Sequence, residues 1–258
     1  CVAIIFAGNF NNMKLRILGI LIIFLAWELL SLFVDRLFLP SPLLVINKLI
    51  ALARTSELYN DIWVTFKRTA IGLSFGAVIG VVAGTLLGSF RSLYKTLQLP
   101  MDFVRSIPAT ALFPLFIVLF GLGDTVKIFV AAWATCLIVI INTLYGFQNI
   151  SHTRRLMAKL KKFSFCKTVR LIILPSALPY IAAGIRVSLA FALIIELVAE
   201  MFLGSQSGLG HRIFAASSIL EMEEVYVGIL LIGFLGYVLN SAMLFAERKI
   251  IHWSGHGA

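Results

Sequence analysis

Charge is scarce in this chain. Asp, Glu, Lys and Arg make up 13% of its 258 residues, while apolar residues reach 60%; soluble domains run at roughly 25% and 45–50%. That balance excludes an ordinary water-soluble globule and points to lipid as the solvent. No polar stretch exceeds roughly 30 residues, too short for a separate soluble domain. Cysteine is nearly absent: Cys1, Cys136 and Cys166 show neither paired nor metal-type spacing, which excludes a disulfide framework and reads as small apolar packing. Catalytic motifs are missing as well. There is no G-x-x-x-x-G-K-[ST] phosphate loop, no H-E-x-x-H and no G-x-S-x-G, so the chain is expected to bind no nucleotide, metal or other cofactor and to do no covalent chemistry. His152, His211, His252 and His256 fall in loops or the tail and read as surface residues.

What is abundant is long apolar runs, and a bilayer crossing needs about 20 such residues. Six crossings are expected, near 17–34, 69–90, 99–121, 126–147, 177–203 and 225–246, making an all-α integral membrane domain over 13–258. Met13-Lys14-Leu15-Arg16 has the form of a start, so residues 1–12 read as an extension. The net charge of +10 would suggest nucleic acid in a soluble protein. Here the basic residues gather in particular loops, which speaks of membrane topology and lipid instead. With both termini inside, cytoplasmic segments hold thirteen Lys and Arg and external segments seven. The reverse orientation would put the seven basic residues of 154–170 outside, against the positive-inside rule.

Gly72, Gly76, Gly80, Gly84 and Gly88 recur every fourth residue along the second crossing. Such a stripe lets another helix backbone approach closely in lipid, as fixed packing or as a moving interface. Earlier, Pro40-Ser41-Pro42 is a helix-start signal, with Ser41 as cap and Pro42 in the first turn. The following segment, to about Leu58, is expected to lie amphipathically at the outer surface.

The most informative segment is the basic stretch at 151–174. Leu156, Met157, Leu160 and Phe163 form a narrow apolar helix face ringed by Arg154, Arg155, Lys159, Lys161 and Lys162. Such a helix could lie on anionic lipid or dock into a groove on a cytoplasmic partner. Within the crossings, ionisable residues are functional candidates because burying charge in lipid is costly. Glu196 and Glu200 are four apart on one face. Glu196 reads as a polar contact of a cavity, Glu200 as either a structural hydrogen bond or a transport role. Asp102 and Arg105 are read as a local pair. Ser106, Pro108, Asn142, Glu196 and Glu200 are the candidates for lining a translocation path.

Leu174-Pro175-Ser176-Ala177-Leu178-Pro179, closing that basic stretch, resembles the EAA loop of binding-protein-dependent ABC importer permeases. Trp27-Glu28-Leu29 with Leu39-Pro40-Ser41-Pro42, then Arg105-Ser106-Ile107-Pro108-Ala109, Leu112-Phe113-Pro114-Leu115, Phe120-Gly121-Leu122-Gly123, Ala199-Glu200-Met201 and Ser207-Gly208-Leu209-Gly210 resemble the nitrate/sulfonate/taurine/bicarbonate branch. The resemblance spans roughly residues 15–250, and it implies a type I importer fold in a bacterial inner membrane. It also implies partners: two copies of an ATPase that handles ATP and Mg, a second permease copy, and a solute-binding protein. It assigns ATPase coupling to Arg155, Leu156, Met157, Ala158, Leu160, Lys161, Lys162, Phe163, Leu174 and Pro175. One departure stands out. The family's Glu-Ala-Ala falls on Leu156-Met157-Ala158 and its loop glycine on Lys162. Lysine resists the left-handed turn that glycine permits, so the helix is expected to run past Lys162 or to turn elsewhere. A secondary transporter is the rival reading, but no second copy of the glycine stripe or of the Leu-Pro loop is present.

Overall fold

The computed structural model describes residues 10–35 and 37–251; most of the 1–12 extension, with Cys1, and both tail histidines lie outside them. The described residues form α1 (Phe10–Phe33), α2 (Pro42–Leu52), α3 (Ser56–Ser89), α4 (Arg91–Ser106), α5 (Phe113–Phe120), α6 (Asp124–Gln148), α7 (His152–Leu160), α8 (Phe165–Thr168), α9 (Leu174–Phe202), α10 (Leu209–Ser218) and α11 (Met222–Ile250). Among them there is no strand.

Four helical stretches are long and apolar enough to cross a bilayer: Ser56–Ser89, Asp124–Gln148, Val169–Phe202 and Met222–Ile250. The shortest, 25 residues, spans about 37 Å at ~1.5 Å per residue, against a hydrocarbon core of about 30 Å. The apolar part of α1 is Ile17–Phe33. The stretch expected as a straight third crossing at 99–121 is instead a bent pair. Ser92–Ser106 and Ala109–Phe120 meet at 88°. Proline explains the break: Ile107, directly before Pro108, is held extended at φ −79°, ψ 120°, because a proline disfavours the helical region for its predecessor. Pro114 then sits in the first turn of α5, where its missing N–H is not needed.

Other boundaries differ for physical reasons. α3 starts thirteen residues before the expected crossing, since Asp61, Thr65 and Arg68 look like loop residues by hydropathy yet are buried on the helix. α2 ends at Leu52, short of Leu58. Ser41 is extended as an N-cap residue should be, but its side chain makes no capping hydrogen bond. α10 occupies a stretch read as loop, and His211 lies within it rather than in a loop. Its apolar side was legible at Leu209, Ile213 and Ala216, all buried.

The chain divides into two compact units: residues up to Tyr59 with Arg212–Leu230, and Asn60–His211 with Leu231 onward. In the first, the Trp27 indole donates to the Pro40 carbonyl at 3.1 Å and its ring lies 5.6 Å from that of Tyr226. That bond ties the Trp-Glu-Leu segment to the Pro-Ser-Pro turn that begins α2. The Lys48 ammonium meets Glu221 at 2.9 Å and Glu224 at 3.2 Å; the Glu221 hydrogen bond raises its pKa above the ordinary 10.5.

The second unit is organised by the glycine stripe. A Cβ built on Gly72, Gly76, Gly80, Gly84 or Gly88 would collide with Ala131, Thr135, Val139, Thr143 or Phe147 respectively, at 2.6–2.9 Å. Each partner lies 59 positions further along the chain, so α3 and α6 run parallel in a constant register. Parallel helices require the chain to return between them, and the bent α4–α5 pair makes that return. α9 runs antiparallel to α6, with Ala177 on Gly146 and Gly184 on Asn142. The C-terminal half of α11 runs antiparallel to α9, with Gly236 on Leu193 and Arg186 paired to Glu247 at 2.9 Å. The basic 151–174 stretch and the C-terminal end of α11 therefore share one end of this unit. Asp61, Asp124 and Glu200 share the other. Beside that end lies an apolar seam that includes Phe113, Val126, Val130, Ile195 and Ala199.

Candidate functional site

At the end of the second unit away from the basic stretch, the polar residues of α3, α6 and α9 converge. α3 carries Asp61, Thr65 and Arg68 at i, i+4 and i+7, on the face that continues as the glycine stripe. Arg68 is 4% exposed. Its Nη1 donates to Glu200 Oε1 at 2.8 Å, to the Ser207 carbonyl at 3.0 Å and to Ser205 Oγ at 3.2 Å. Its Nη2 donates to Asp124 Oδ1. Glu200 also accepts from Thr65 Oγ1 and from the Gly210 amide, both at 2.9 Å. Asp61 Oδ1 accepts the Gly208 amide at 2.8 Å, and Thr65 Oγ1 the Leu209 amide at 2.9 Å. One guanidinium and three acceptors on α3 and α9 thus clamp the turn that joins α9 to α10.

Glycine is required at one point of that turn. Gly208 has φ +117°, and a Cβ there would lie 2.3 Å from the Glu200 carboxylate. The clamp works because the backbone comes within hydrogen-bond reach of a buried acid. Glu196, one turn below Glu200, is fully buried, and neither of its oxygens has a hydrogen-bond partner. Arg68 Nε is 4.0 Å from its Oε1. Lys127, 1% exposed, bends back to the Gly123 carbonyl at 3.1 Å. Glu196 and Glu200, expected as path-lining candidates, are buried here at 0% and 1% exposure. Both are closed inside the unit, because Arg68 and Lys127 supply compensating charge there.

The other path candidates separate. Ser106 is exposed and its hydroxyl donates to the Asp102 carbonyl at 2.8 Å. Pro108 is exposed at the bend. Asn142 is half-buried, its amide donating to the Ile138 carbonyl at 2.9 Å. Asp102 and Arg105 form their local pair at 3.5 Å.

At the opposite end, α7 ends with a lysine in the left-handed region, Lys162 at φ 50°. The Phe163 amide donates to the Ala158 carbonyl at 3.1 Å, the six-to-one bond of a Schellman cap. The expectation that lysine would displace this turn is thus corrected. The closing bond holds Lys162 left-handed at a cost of roughly 1–2 kcal/mol. The apolar residues of α7 are outward and uncovered: Leu156 is 46% exposed, Met157 50% and Leu160 74%. Lys161 and Lys162 are exposed around them, and Lys167 Nζ stands 4.8 Å over the Phe163 ring. Ala158, at 4%, faces inward. Leu174 packs on Phe147, Ala177 and Ile181, and Pro175 sits in the first turn of α9. Both therefore shape the helix start. Upstream, Val169–Ile173 is π-helical, with the Leu174 amide donating to the Val169 carbonyl. The side chain of Arg155 lies outside the described residues.

Residues 76–252 match the family described as binding-protein-dependent transport system inner membrane component. The chain belongs to that family. It is 31% identical over 215 residues to the putative aliphatic sulfonates transport permease SsuC of Bacillus subtilis, covering 83% of this chain and 78% of that one. It is 27% identical over 191 residues to the nitrate import permease NrtB of a Synechocystis strain, covering 74% and 69%. Its fold is similar to that of a chain in the inward-facing MetNI methionine ABC transporter, with a TM-score of 0.59 at 22% identity, covering 72% of this chain and 95% of that one.

In this ABC importer permease the motifs divide by task. Ala199-Glu200 and Ser207-Gly208-Leu209-Gly210 are two halves of one clamp. Arg68, which completes it, and Lys127 beside it were counted from sequence only among the seven basic residues of the external segments. The signal that could have found Arg68 is spacing: it lies four residues before Gly72, and Thr65 and Asp61 follow at three and seven residues before it, all on one helix face.

Proposed function

We propose that this ABC importer permease works as a pair in a bacterial inner membrane, above two ATPase subunits and below a solute-binding protein. ATP and Mg belong to the ATPases, and this chain binds no cofactor of its own. Both termini and the 151–174 stretch face the cytoplasm, supported by the thirteen-to-seven basic asymmetry and by the shared end of that stretch and α11. The solute is a small oxyanion, sulfonate or heterocyclic precursor that passes inward.

The observation that carries the coupling role is the outward face of α7. Three large apolar side chains lie uncovered there beside exposed lysines, at a turn fixed by its own cap. Apolar burial in an ATPase groove would supply affinity, and the lysines would steer docking and register. Closure of the ATPases on ATP would then push α7, and α9 beyond it, and switch the path between outward- and inward-facing states.

The test is to purify the complex with Phe163→Ala and with Lys161→Glu plus Lys162→Glu. Phe163→Ala is expected to insert and assemble but to lose transport-linked ATP turnover. The double reversal is expected to weaken ATPase retention more at low salt than at high, as screening relieves repulsion from an acidic groove. Unchanged retention and turnover in both variants would remove α7 from the coupling.

A further inference from the structure

A second feature of the Asn60–His211 unit lies apart from both the clamp and α7. α4 and α6 leave between them an open groove of about 250 Å³. α4 contributes Tyr94, Gln98, Asp102 and Arg105, at i, i+4, i+8 and i+11. α6 contributes Tyr145 and Gln148 over an apolar floor that includes Ile141 and Leu144. α6 is long and apolar enough to cross a bilayer, and α4 is one arm of the bent pair Ser92–Ser106 and Ala109–Phe120.

The chemistry of this lining is unspent. Tyr94, Gln98, Tyr145 and Gln148 make no side-chain hydrogen bond to any described residue, whereas Ser106, Asn142 and Thr143 nearby all satisfy themselves on helix carbonyls. Gln98, Tyr145 and Gln148 are exposed and Tyr94 is half-buried, so two phenols and two primary amides stand open to whatever fills the groove; facing lipid they would be costly, facing water or a solute they would not. The charge of the groove is also balanced, Asp102 and Arg105 lying 3.5 Å apart and each 54% exposed. A bare anion drawn to Arg105 would face Asp102 at nearly the same distance, so the attraction is largely cancelled. A solute of net zero charge, either zwitterionic or uncharged with several hydrogen-bonding groups, loses nothing to that pair. It gains donors and acceptors from the amides and stacking surface from the tyrosines.

We propose that the α4–α6 groove is a solute-contacting wall of the translocation path, and that it is matched to a small net-neutral, hydrogen-bonding solute rather than to an inorganic anion. The inference rests on the importer reading and narrows its solute class.

The test uses the assembled permease–ATPase complex in proteoliposomes, with the native cysteines replaced and a single cysteine at Gln98, at Tyr145 or, as an exposed reference, at Thr153. An anionic and a cationic methanethiosulfonate are added to both sides, and each rate is normalised to the same reagent at Thr153→Cys. Both reagents are expected to label Gln98→Cys and Tyr145→Cys, with normalised rates agreeing within a few-fold. An anionic preference of about tenfold or more would reveal an uncompensated Arg105 and overturn the net-neutral assignment. Labelling by neither reagent would show the groove covered by a second copy. Labelling only by a membrane-permeant maleimide would show it facing lipid. Either of these results overturns the proposal. Retention of the ATPase in each variant is measured beside the labelling, so a sealed groove in an intact complex counts against this inference alone, whereas loss of ATPase from the unmutated protein counts against the importer reading.

Discussion

Replacing the stripe glycines one at a time by alanine makes the α3–α6 packing measurable, because the structure ranks the positions. A Cβ at Gly76 would stand 2.3 Å from the Ala132 carbonyl oxygen and 2.7 Å from Thr135 Cβ. Ordinary contact begins near 3.4 Å, so the two helices must part by about 1 Å, which forfeits much of the dispersion energy along the seam. The obstacle is backbone and cannot rotate away. Overpacking of this kind costs roughly 1–3 kcal/mol, against roughly 1 kcal/mol gained from alanine's helix propensity; with backbone as the obstacle the cost falls at the upper end, leaving Gly76→Ala destabilised by up to about 2 kcal/mol. At Gly88 the nearest atoms belong to the Phe147 side chain, which can shift, so the two effects nearly cancel. Gly233 has nothing within 4 Å; alanine there adds only propensity and stabilises by up to about 1 kcal/mol. SDS titration of the purified permease in mixed micelles reads these differences as midpoint shifts. The expected order is Gly233→Ala above the unmutated protein, Gly88→Ala close to it and Gly76→Ala well below. A Gly76→Ala protein as stable as the unmutated one, or a Gly88→Ala protein less stable than Gly76→Ala, would refute the parallel register on which the fold rests.

Three further outcomes follow from other positions. Lys162→Gly relieves the left-handed strain at the end of α7 and stabilises the turn by about 1 kcal/mol; hydrogen exchange of the Phe163 amide should slow, and unchanged exchange would mean the cap carries no strain. Gly204→Ala, at φ +60° with no neighbour within 4 Å, costs only backbone strain of about 1 kcal/mol. Gly208→Ala must also displace Glu200, so its SDS midpoint should fall clearly further, and equal shifts would contradict the clamp. Arg68→Ala leaves Glu196 and Glu200 without their guanidinium and is expected to cost roughly 3–5 kcal/mol, seen as lost expression and early denaturation; a variant of normal stability would show that the acids are held by something else.

Much of this fold was legible because lipid imposes a simple rule. Long apolar runs marked four crossings, and the four-residue glycine period marked the tightest helix contact. The break at Ile107–Pro108 was hidden, since hydropathy averages over a bend that only the pre-proline restriction reveals. The clamp was half-legible. Glu200 and Gly208 stood out through their motifs, but Arg68 and Lys127 are hydrophilic residues at the edge of apolar runs, and nothing local says that they turn inward. Lys162 was misjudged because a residue's intrinsic reluctance to turn left-handed, about 1 kcal/mol or more, is smaller than what a closing hydrogen bond and its surroundings can supply together. On α7, Leu156, Met157 and Leu160 lie exposed on the side the periodicity marks, but the helix ends at Leu160, leaving Phe163 half-buried beyond the left-handed turn, and Ala158 points inward, distinctions that a short helix only acquires once it is capped and packed.

Whether α7 couples this permease to a separate ATPase is decided by photo-crosslinking in native membranes. A photoreactive residue is placed in turn at Leu160, at Met157 and, as an internal control, at Ala158. Adducts of ATPase mass are expected from Leu160, 74% exposed, and from Met157, and none from Ala158, 4% exposed. Lipid adducts alone from Leu160 and Met157, in membranes where the ATPase is present and assembled, would contradict that coupling.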